Sequence, residues 1–466
     1  MRRTVTFRAD QFDELKGHLI REDGKEHVAF LLFGKSSIKS DPWTREGETR
    51  LLCREIELID DKDLIRNQED QISWNNNIFL PILRRAEAKN FGIGLIHSHP
   101  GGYNAFSATD NENEKRLFQL SFNRNGDSAI HASFVMTPPD KLIGRIWDTS
   151  LDPKGIDLFR ILGQGFRFQS SAKKEFAIPE FLDRQRLAFG EAFIDELSSL
   201  RIGVVGCGAT GSAVAILLSR LGIGNLLLID KDTVEASNLN RLHGATVSDI
   251  GLPKADVMKS YIEKIGLGTN VVSVVDWVSS VNARESLKAC DVVFGCTDDN
   301  SGRIMLNRFA YFYLVPLIDI GLTIRLSQTV PPSIQSLIGR VTIVFPGSRC
   351  LNSYGITNSE VAYAEGLRRG DPERYEILKK EAYVIGEGNP SPAVVTFTTE
   401  TSTTALNEFI TRLQGFRNVG AVDHRLRFFH LDEDLKPSSE PEEDCRICGD
   451  SRYWGRGDME PFLDMV

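Results

Sequence analysis

Two groups of residues along this chain have the types and spacing for chemistry. The first is His97-Ser98-His99-Pro100, followed by Ser107 and Asp110. Two imidazoles one residue apart, with a carboxylate eleven positions on, are donors for a zinc ion that keeps a fourth position for water. Such an open site suits metal-assisted hydrolysis. The second group is Gly206-Cys207-Gly208-Ala209-Thr210-Gly211, followed by Asp230-Lys231-Asp232. Glycines at this spacing let backbone N–H groups approach phosphates, so Gly206, Gly208 and Gly211 predict a nucleotide site.

The elements that must carry these residues differ between the two halves. Residues 94–99 form the end of a strand-like run, and side chains at i and i+2 of a strand share a face, so His97 and His99 can converge on one metal. Strand-like runs at 28–33, 51–59, 91–96 and 131–136 alternate with polar helical segments, the pattern of an α+β domain. Further on, 201–205 predicts a buried strand, 212–221 a helix, 225–229 a strand and 254–265 a second helix, with more strands at 271–275 and 291–294. This regular alternation predicts a doubly wound, largely parallel α/β sheet, with the glycine loop at the turn from its first strand into its first helix. A helix-rich segment at 360–382 and a strand at 427–430 complete that half. The chain accordingly divides into an α+β domain at 1–150, a junction at 151–180 containing Lys173-Lys174-Glu175, an α/β domain at 181–435, and a polar tail at 436–466 carrying Cys445-x-x-Cys448.

Composition sets the outer limits. The 466 residues allow two or three ordinary domains, and 41% hydrophobic with 26% charged residues is a globular profile. A net charge of -9 argues against a broad nucleic-acid-binding face. Arg2 and Arg3 have no apolar run behind them, which argues against a secretory signal, and the most apolar stretch, 309–317, is too short to span a bilayer. A cytoplasmic protein without membrane contact is expected. Seven scattered cysteines suggest thiols or metal ligands rather than a disulfide framework.

The spacing His-x-His, seven residues, Ser, two residues, Asp resembles the JAB/MPN (JAMM) zinc metalloproteases, with every fixed position present. The resemblance implies a peptidase or isopeptidase acting on ubiquitin-like proteins, with catalytic zinc on His97, His99 and Asp110. It also implies Glu26 as general base, with Glu22 as fallback, and Ser107 orienting the water or stabilising the oxyanion. The plainer alternatives are a surface loop with two solvated histidines, or a fold of this type that has lost its metal.

The glycine loop alone also fits a dinucleotide-binding dehydrogenase, where Asp230 would bind ribose. Residues farther along the chain separate the two readings. Asn238-Leu239-Asn240-Arg241, then Leu252-Pro253-Lys254, then Gly295-Cys296-Thr297-Asp298 resemble the ThiF family of ubiquitin-activating-type enzymes, a likeness covering about residues 181–448. It implies ATP and magnesium: Asp232 in the nucleotide site, Asp230 on the ribose, Asn238, Arg241 and Lys254 on the phosphates, and Asp298 holding magnesium near a reacting carboxylate. The physical logic agrees, because attack of a carboxylate on the α-phosphate gathers negative charge that arginine, lysine and a metal offset.

Asp183-Arg184-Gln185 resembles a short motif whose arginine reaches the partner subunit's ATP site, so Arg184 implies a homodimer; the plain alternative is a surface ion pair. Family members often carry two Cys-x-x-Cys pairs holding a structural zinc. Here the second is intact at Cys445 and Cys448, but the first is Cys350-Leu351-Asn352-Ser353. Either Cys350, Cys445 and Cys448 hold a second zinc with the fourth ligand open, or Cys350 is a nucleophile for thioester chemistry. Cys53, Cys207, Cys290 and Cys296 fit packing roles.

Together the resemblances imply a bifunctional enzyme of a bacterial ubiquitin-like modification system. It would adenylate the C-terminal glycine of the modifier, trim or remove that modifier with zinc, and work beside a conjugating enzyme. The competing expectations are activation and maturation of a sulfur-carrier protein for cofactor or tRNA thiolation, and a non-catalytic scaffold that binds such a tail.

Overall fold

The structure, a computed structural model, describes residues 1–67, 72–74, 76–171, 178–380 and 392–459, with the backbone alone for 66, 67, 72–74 and 76. Lys173, Lys174 and Glu175, and residues 381–382 of the expected helical segment, lie outside the described residues.

The apolar run that opens the strand Val28–Ile38 is buried on both sides, and its alternation decides which side each residue serves. Ala29, Leu31 and Phe33 join a core with Phe7, Phe12 and Phe134, while Val28, Phe30 and Leu32 join another with Phe79, Phe118 and Trp147. Helix Ala9–Leu19 covers the first face through Phe12, Leu15 and Leu19. Helices Asn76–Lys89 and Ala108–Asn125 cover the second. The sheet has nine strands, in the order Phe166–Ser170, Leu158–Leu162, Arg2–Arg8, Glu48–Leu58, Val28–Ile38, Gly92–Ser98, His131–Thr137, Lys141–Trp147, Lys154–Gly155.

Three of these strands lie in the stretch expected to be a junction. Leu158–Leu162 pairs in parallel with Arg2–Arg8, so the N-terminal sheet is completed only beyond residue 150. All five of its residues are buried, which removes the polar alternation that would have marked it as a strand.

The second sheet has eight strands, in the order Asn270–Val274, Asn225–Ile229, Arg201–Val205, Val292–Gly295, Leu317–Leu326, Ile334–Val344, His424–Phe428, Glu433–Leu435. The first five are parallel and the rest antiparallel. The order reverses beside Arg201–Val205, where a doubly wound sheet opens its binding crevice. The expected helical segment forms two helices, Ser359–Gly370 and Pro372–Lys380, divided where Pro372 cannot continue the first. The last expected strand begins earlier than its apolar run, at His424.

Buried charges join the two halves. Arg50 Nη1 donates to the Cys290 carbonyl at 3.0 Å, Arg201 Nη1 meets Glu48 Oε2 at 3.0 Å and Asp41 Oδ2 at 2.6 Å, and Arg160 Nε meets Asp291 Oδ1 at 2.7 Å. A second tie comes from the tail. Asp458 N donates to the Lys35 carbonyl at 2.8 Å, while the Asp458 carboxylate accepts from Ser37 N at 2.5 Å and Lys288 Nζ at 3.0 Å. Close approach there requires glycine, since a Cβ on Gly34 would lie 1.9 Å from the Gly455 carbonyl oxygen. Among the described residues no helix is long and apolar enough to cross a membrane.

Candidate functional site

The strand Gly92–Ser98 delivers His97 to its end, and His99 follows one residue beyond it. Their Nε2 atoms lie 3.1 Å apart. Asp110, in the first turn of helix Ala108–Asn125, brings Oδ1 to 3.4 Å from His97 Nε2 and Oδ2 to 3.7 Å from His99 Nε2. For metal–donor bonds of about 2.0–2.1 Å, tetrahedral donors stand about 3.3 Å apart. The separations lie near that value, the two from Asp110 through different carboxylate oxygens, and one donor from each residue can be brought to a common ion, so these residues fit zinc. Both histidines are buried, which is not the environment of a solvated surface loop. His99 Nδ1 lies 2.7 Å from the Tyr103 carbonyl, so that nitrogen carries the proton and Nε2 presents its lone pair.

The Ser-x-x-Asp spacing has a local cause. Ser107 Oγ accepts from Asp110 N at 3.1 Å, and Ser107 N donates to an Asp110 carboxylate oxygen at 2.7 Å, a reciprocal capping box that sets the Asp110 rotamer. Burial pushes the Asp110 carboxyl up, but His97 and Ser107 outweigh it and hold it well below the usual carboxylate range. Glu26, only 6% exposed, lies with Oε1 3.6 Å from His99 Nε2, whereas Glu22 is exposed. Ser98 has no sequence signal of its own because it lies between two conspicuous histidines; its Oγ accepts from His27 N at 2.9 Å.

At the other sheet a cavity of about 760 Å³ opens at the end of Arg201–Val205. Gly206, Gly208, Asp230, Asp232, Asn238, Arg241, Lys254 and Asp298 all line it. Gly206 has φ +88°, and a Cβ on Gly211 would lie 1.7 Å from the Gly206 carbonyl oxygen, so the loop cannot close this tightly with other residues. A Cβ on Gly208 would meet no protein atom, which puts that position against the open volume. Asp230 Oδ2 accepts from Cys207 N at 2.6 Å and Oδ1 from Asp232 N at 2.8 Å, bracing the loop while each oxygen keeps a second lone pair. Burial raises the Asp230 pKa. Lys254 Nζ lies 3.3 Å from Asp232 Oδ2. Asp298 is exposed to the cavity, whereas its neighbour Asp299 caps helix Asn300–Tyr313 through Gly302 N at 2.5 Å.

Several cavity residues had no sequence signal. Glu365, from helix Ser359–Gly370, accepts from Asn300 N at 3.0 Å and Ser301 N at 2.9 Å, fastening that helix beside the cavity. Trp277 has Arg369 4.0 Å and Lys231 5.0 Å from its ring. Arg184 lies exposed on helix Asp183–Phe189 and is not among the residues lining this chain's own cavity.

The three thiols also converge. Cys350 Sγ lies 3.6 Å from Cys445 Sγ, and Ser353 Oγ lies 3.5 Å from Cys350 Sγ and 3.2 Å from Cys448 Sγ. Zinc–sulfur bonds of about 2.3 Å put tetrahedral sulfurs about 3.8 Å apart. The Cys350–Cys445 separation is close to that spacing, so the three thiols fit a zinc ion, and the Ser353 hydroxyl lies beside two of them. Cys350 is completely buried, so as a nucleophile it would be out of a partner protein's reach.

The model described as the ThiF family matches residues 182–443, and the model described as prokaryotic homologs of the JAB domain matches residues 8–148. Their order is that of the expected fusion. The chain is 38% identical over 91 residues to a tRNA threonylcarbamoyladenosine dehydratase of Bacillus subtilis, covering 20% of this chain and 36% of that protein. It is 33% identical over 122 residues to a SAMP-activating enzyme E1 of Haloferax volcanii, covering 26% of this chain and 45% of that protein. It is 32% identical over 136 residues to a molybdopterin-synthase adenylyltransferase of Haemophilus influenzae, covering 29% and 56%. The matched stretches thus span 36 to 56% of these relatives.

Proposed function

Because this chain belongs to the ThiF family, whose model covers more than half of its length, we propose that its C-terminal half uses ATP to adenylate the C-terminal glycine of a ubiquitin-like or sulfur-carrier protein. The observation that carries this reading is the cavity in which the glycine loop, Arg241, Lys254 and Asp298 face one volume. The loop amides and the start of helix Ala209–Leu221 receive phosphate oxygens. A glycine carboxylate oxygen bonds to the α-phosphorus, and pyrophosphate leaves. Arg241 and Lys254 offset the charge that gathers in this step, Asn238 adds a polar contact to the phosphates, and Asp230 receives the ribose hydroxyls. Asp298 would hold a magnesium ion, which would add further charge neutralisation there. Arg184, exposed and outside its own cavity, serves the partner site of a homodimer.

The N-terminal half cuts a peptide or isopeptide bond behind the same kind of tail. His97, His99 and Asp110 would hold a zinc ion, which would supply Lewis acidity toward the scissile carbonyl and toward a water molecule. Glu26 removes a proton from the water and delivers it to the leaving amine. Ser107 uses an oxygen lone pair on Asp110 N, which leaves its O–H to donate toward the oxyanion. Cys350, Cys445 and Cys448 would hold a second, structural zinc, with the Ser353 hydroxyl beside them.

The similarity to a molybdopterin-synthase adenylyltransferase keeps the sulfur-carrier reading beside the conjugation reading. A conjugating enzyme as partner belongs to the latter alone. The deciding experiment is ATP–pyrophosphate exchange run with candidate glycine-ended modifiers. Exchange that depends on one modifier and collapses in Asp298→Ala and Arg241→Ala supports adenylation, and exchange indifferent to both substitutions overturns it. For the peptidase, a modifier with a C-terminal extension is expected to be trimmed by the zinc-loaded protein and left whole by Glu26→Gln.

A further inference from the structure

Glu26 and His27 leave the backbone on opposite sides, as successive residues of an extended chain do. Glu26 turns toward His99. His27 turns away, between two carboxylates: Nε2 lies 3.0 and 3.2 Å from the Asp23 oxygens, and Nδ1 lies 3.5 Å from Asp61 Oδ1. Its side chain has no solvent exposure, and the His18 ring packs edge-on against it at 5.9 Å. Asp61 is braced in turn by Arg21 Nη1 at 3.2 Å, and Arg21 Nη2 lies 3.0 Å from His18 Nδ1.

The main chain of His27 is tied as firmly. Its N–H donates to Ser98 Oγ at 2.9 Å, and its carbonyl accepts from Ser98 N at 3.0 Å. The regular antiparallel ladder begins only at the next pair, Val28 opposite His97. Ser98 therefore stands between the two ligand histidines in sequence and opposite the base-bearing segment in space.

We propose that His27, held by Asp23 with Asp61 3.5 Å from its other ring nitrogen and bonded through its backbone to Ser98, is a positioning residue that holds the Glu26 carboxylate at the metal centre. The inference rests on the peptidase reading of that centre. Glu26 stands before the first strand residue and just after a turn in which Gly24 has φ +68°, so the sheet alone does not fix its direction. The clamp on its neighbour does, through the contact of Nε2 with Asp23 and the paired backbone bonds to Ser98. A carboxylate displaced by about 1 Å loses on the order of a hundredfold in rate.

The test compares His27→Leu, His27→Gln, Ser98→Ala and Ser98→Thr with Glu26→Gln in the full chain. One readout is the visible absorption of the Co2+-loaded protein at fixed pH. The other is kcat and KM on a peptide ending in Gly-Gly joined to a lysine side chain. His27→Leu and Ser98→Ala are expected to bind cobalt at full stoichiometry, shift its bands toward those of Glu26→Gln, and lower kcat about 10- to 100-fold at unchanged KM. His27→Gln and Ser98→Thr, which keep the donor and the acceptor, stay near the parent. Asp23→Asn, which weakens the contact with Nε2, gives a smaller shift in the same direction and covers the case in which His27→Leu does not fold. Parent-like bands and kcat in the folded variants, with Glu26→Gln altered, overturn the clamp alone. An unaltered Glu26→Gln overturns the base assignment and the clamp with it.

Discussion

Arg160 Nε and Asp291 Oδ1 lie 2.7 Å apart, one on the N-terminal sheet and the other just before a strand of the ThiF half, and neither residue meets solvent. The second Asp291 oxygen accepts from Arg201 N at 3.0 Å, so this carboxylate is bonded from both halves. Removing one member of a buried pair strands the other charge. Arg160→Met is expected to lower stability by about 3–5 kcal/mol, read from the shift in urea midpoint. The double replacement Arg160→Met with Asp291→Asn should recover part of that loss, and additive losses would contradict the pairing.

Acid should loosen the same interface. Burial acts to raise the Glu48 and Asp291 pKa values, but Arg2, Arg50, Arg160 and Arg201 outweigh it and hold both carboxyls below their ordinary range. A group that binds its proton more weakly when folded contributes fully above its unfolded pKa and loses that contribution as pH falls toward the folded value. With ordinary values of 4.5 for Glu48 and 3.8 for Asp291, Tm should decline below about pH 4.5. In calorimetry from pH 7 to pH 3, Glu48→Gln should start lower and decline less steeply. A decline parallel to that of the parent protein would rule out this origin.

The thiol cluster makes a prediction about metal content. The zinc-loaded protein should contain two equivalents, and Cys448→Ala one. Losing the second metal should lower Tm by roughly 6–12 °C if it costs about 3 kcal/mol. Ser353→Cys supplies a fourth thiolate, so it should lose metal to a chelator more slowly than the parent protein. Equal loss rates would mean that Ser353 stands outside the coordination sphere.

Shared sites can be tested by mixing. Arg184→Ala and Asp298→Ala should each be inactive in pyrophosphate exchange. If each cavity uses its partner's arginine, subunits scrambled one to one should regain about a quarter of parent activity, because half of the dimers are mixed and each has one intact site. No recovery in dimers confirmed to be mixed would return Arg184 to a role within its own chain.

The cluster of His97, His99 and Asp110 was legible because its spacing is local. A strand's two-residue period sets His97 beside His99, and a capping box sets Asp110. The glycine loop was legible for the same reason, lying at one strand-to-helix turn. The interface was not, since Glu48, Arg160, Arg201 and Asp291 are scattered along the chain and a buried arginine has no mark in sequence that a surface arginine lacks. The strand Leu158–Leu162 was lost in the supposed junction because it is buried throughout and too short to show periodicity. Ser353 looked like the broken half of a pair, and only the fold brings its hydroxyl beside Cys448.

Asp458 reaches both halves at once, holding Ser37 N on one side and Lys288 on the other. With the buried charges beneath, that stretch of chain rivets the two halves at a second place. If one modifier is both trimmed and activated by a frame of this kind, its own tail, rather than a movement of the two halves, would have to travel from the first chemistry to the second.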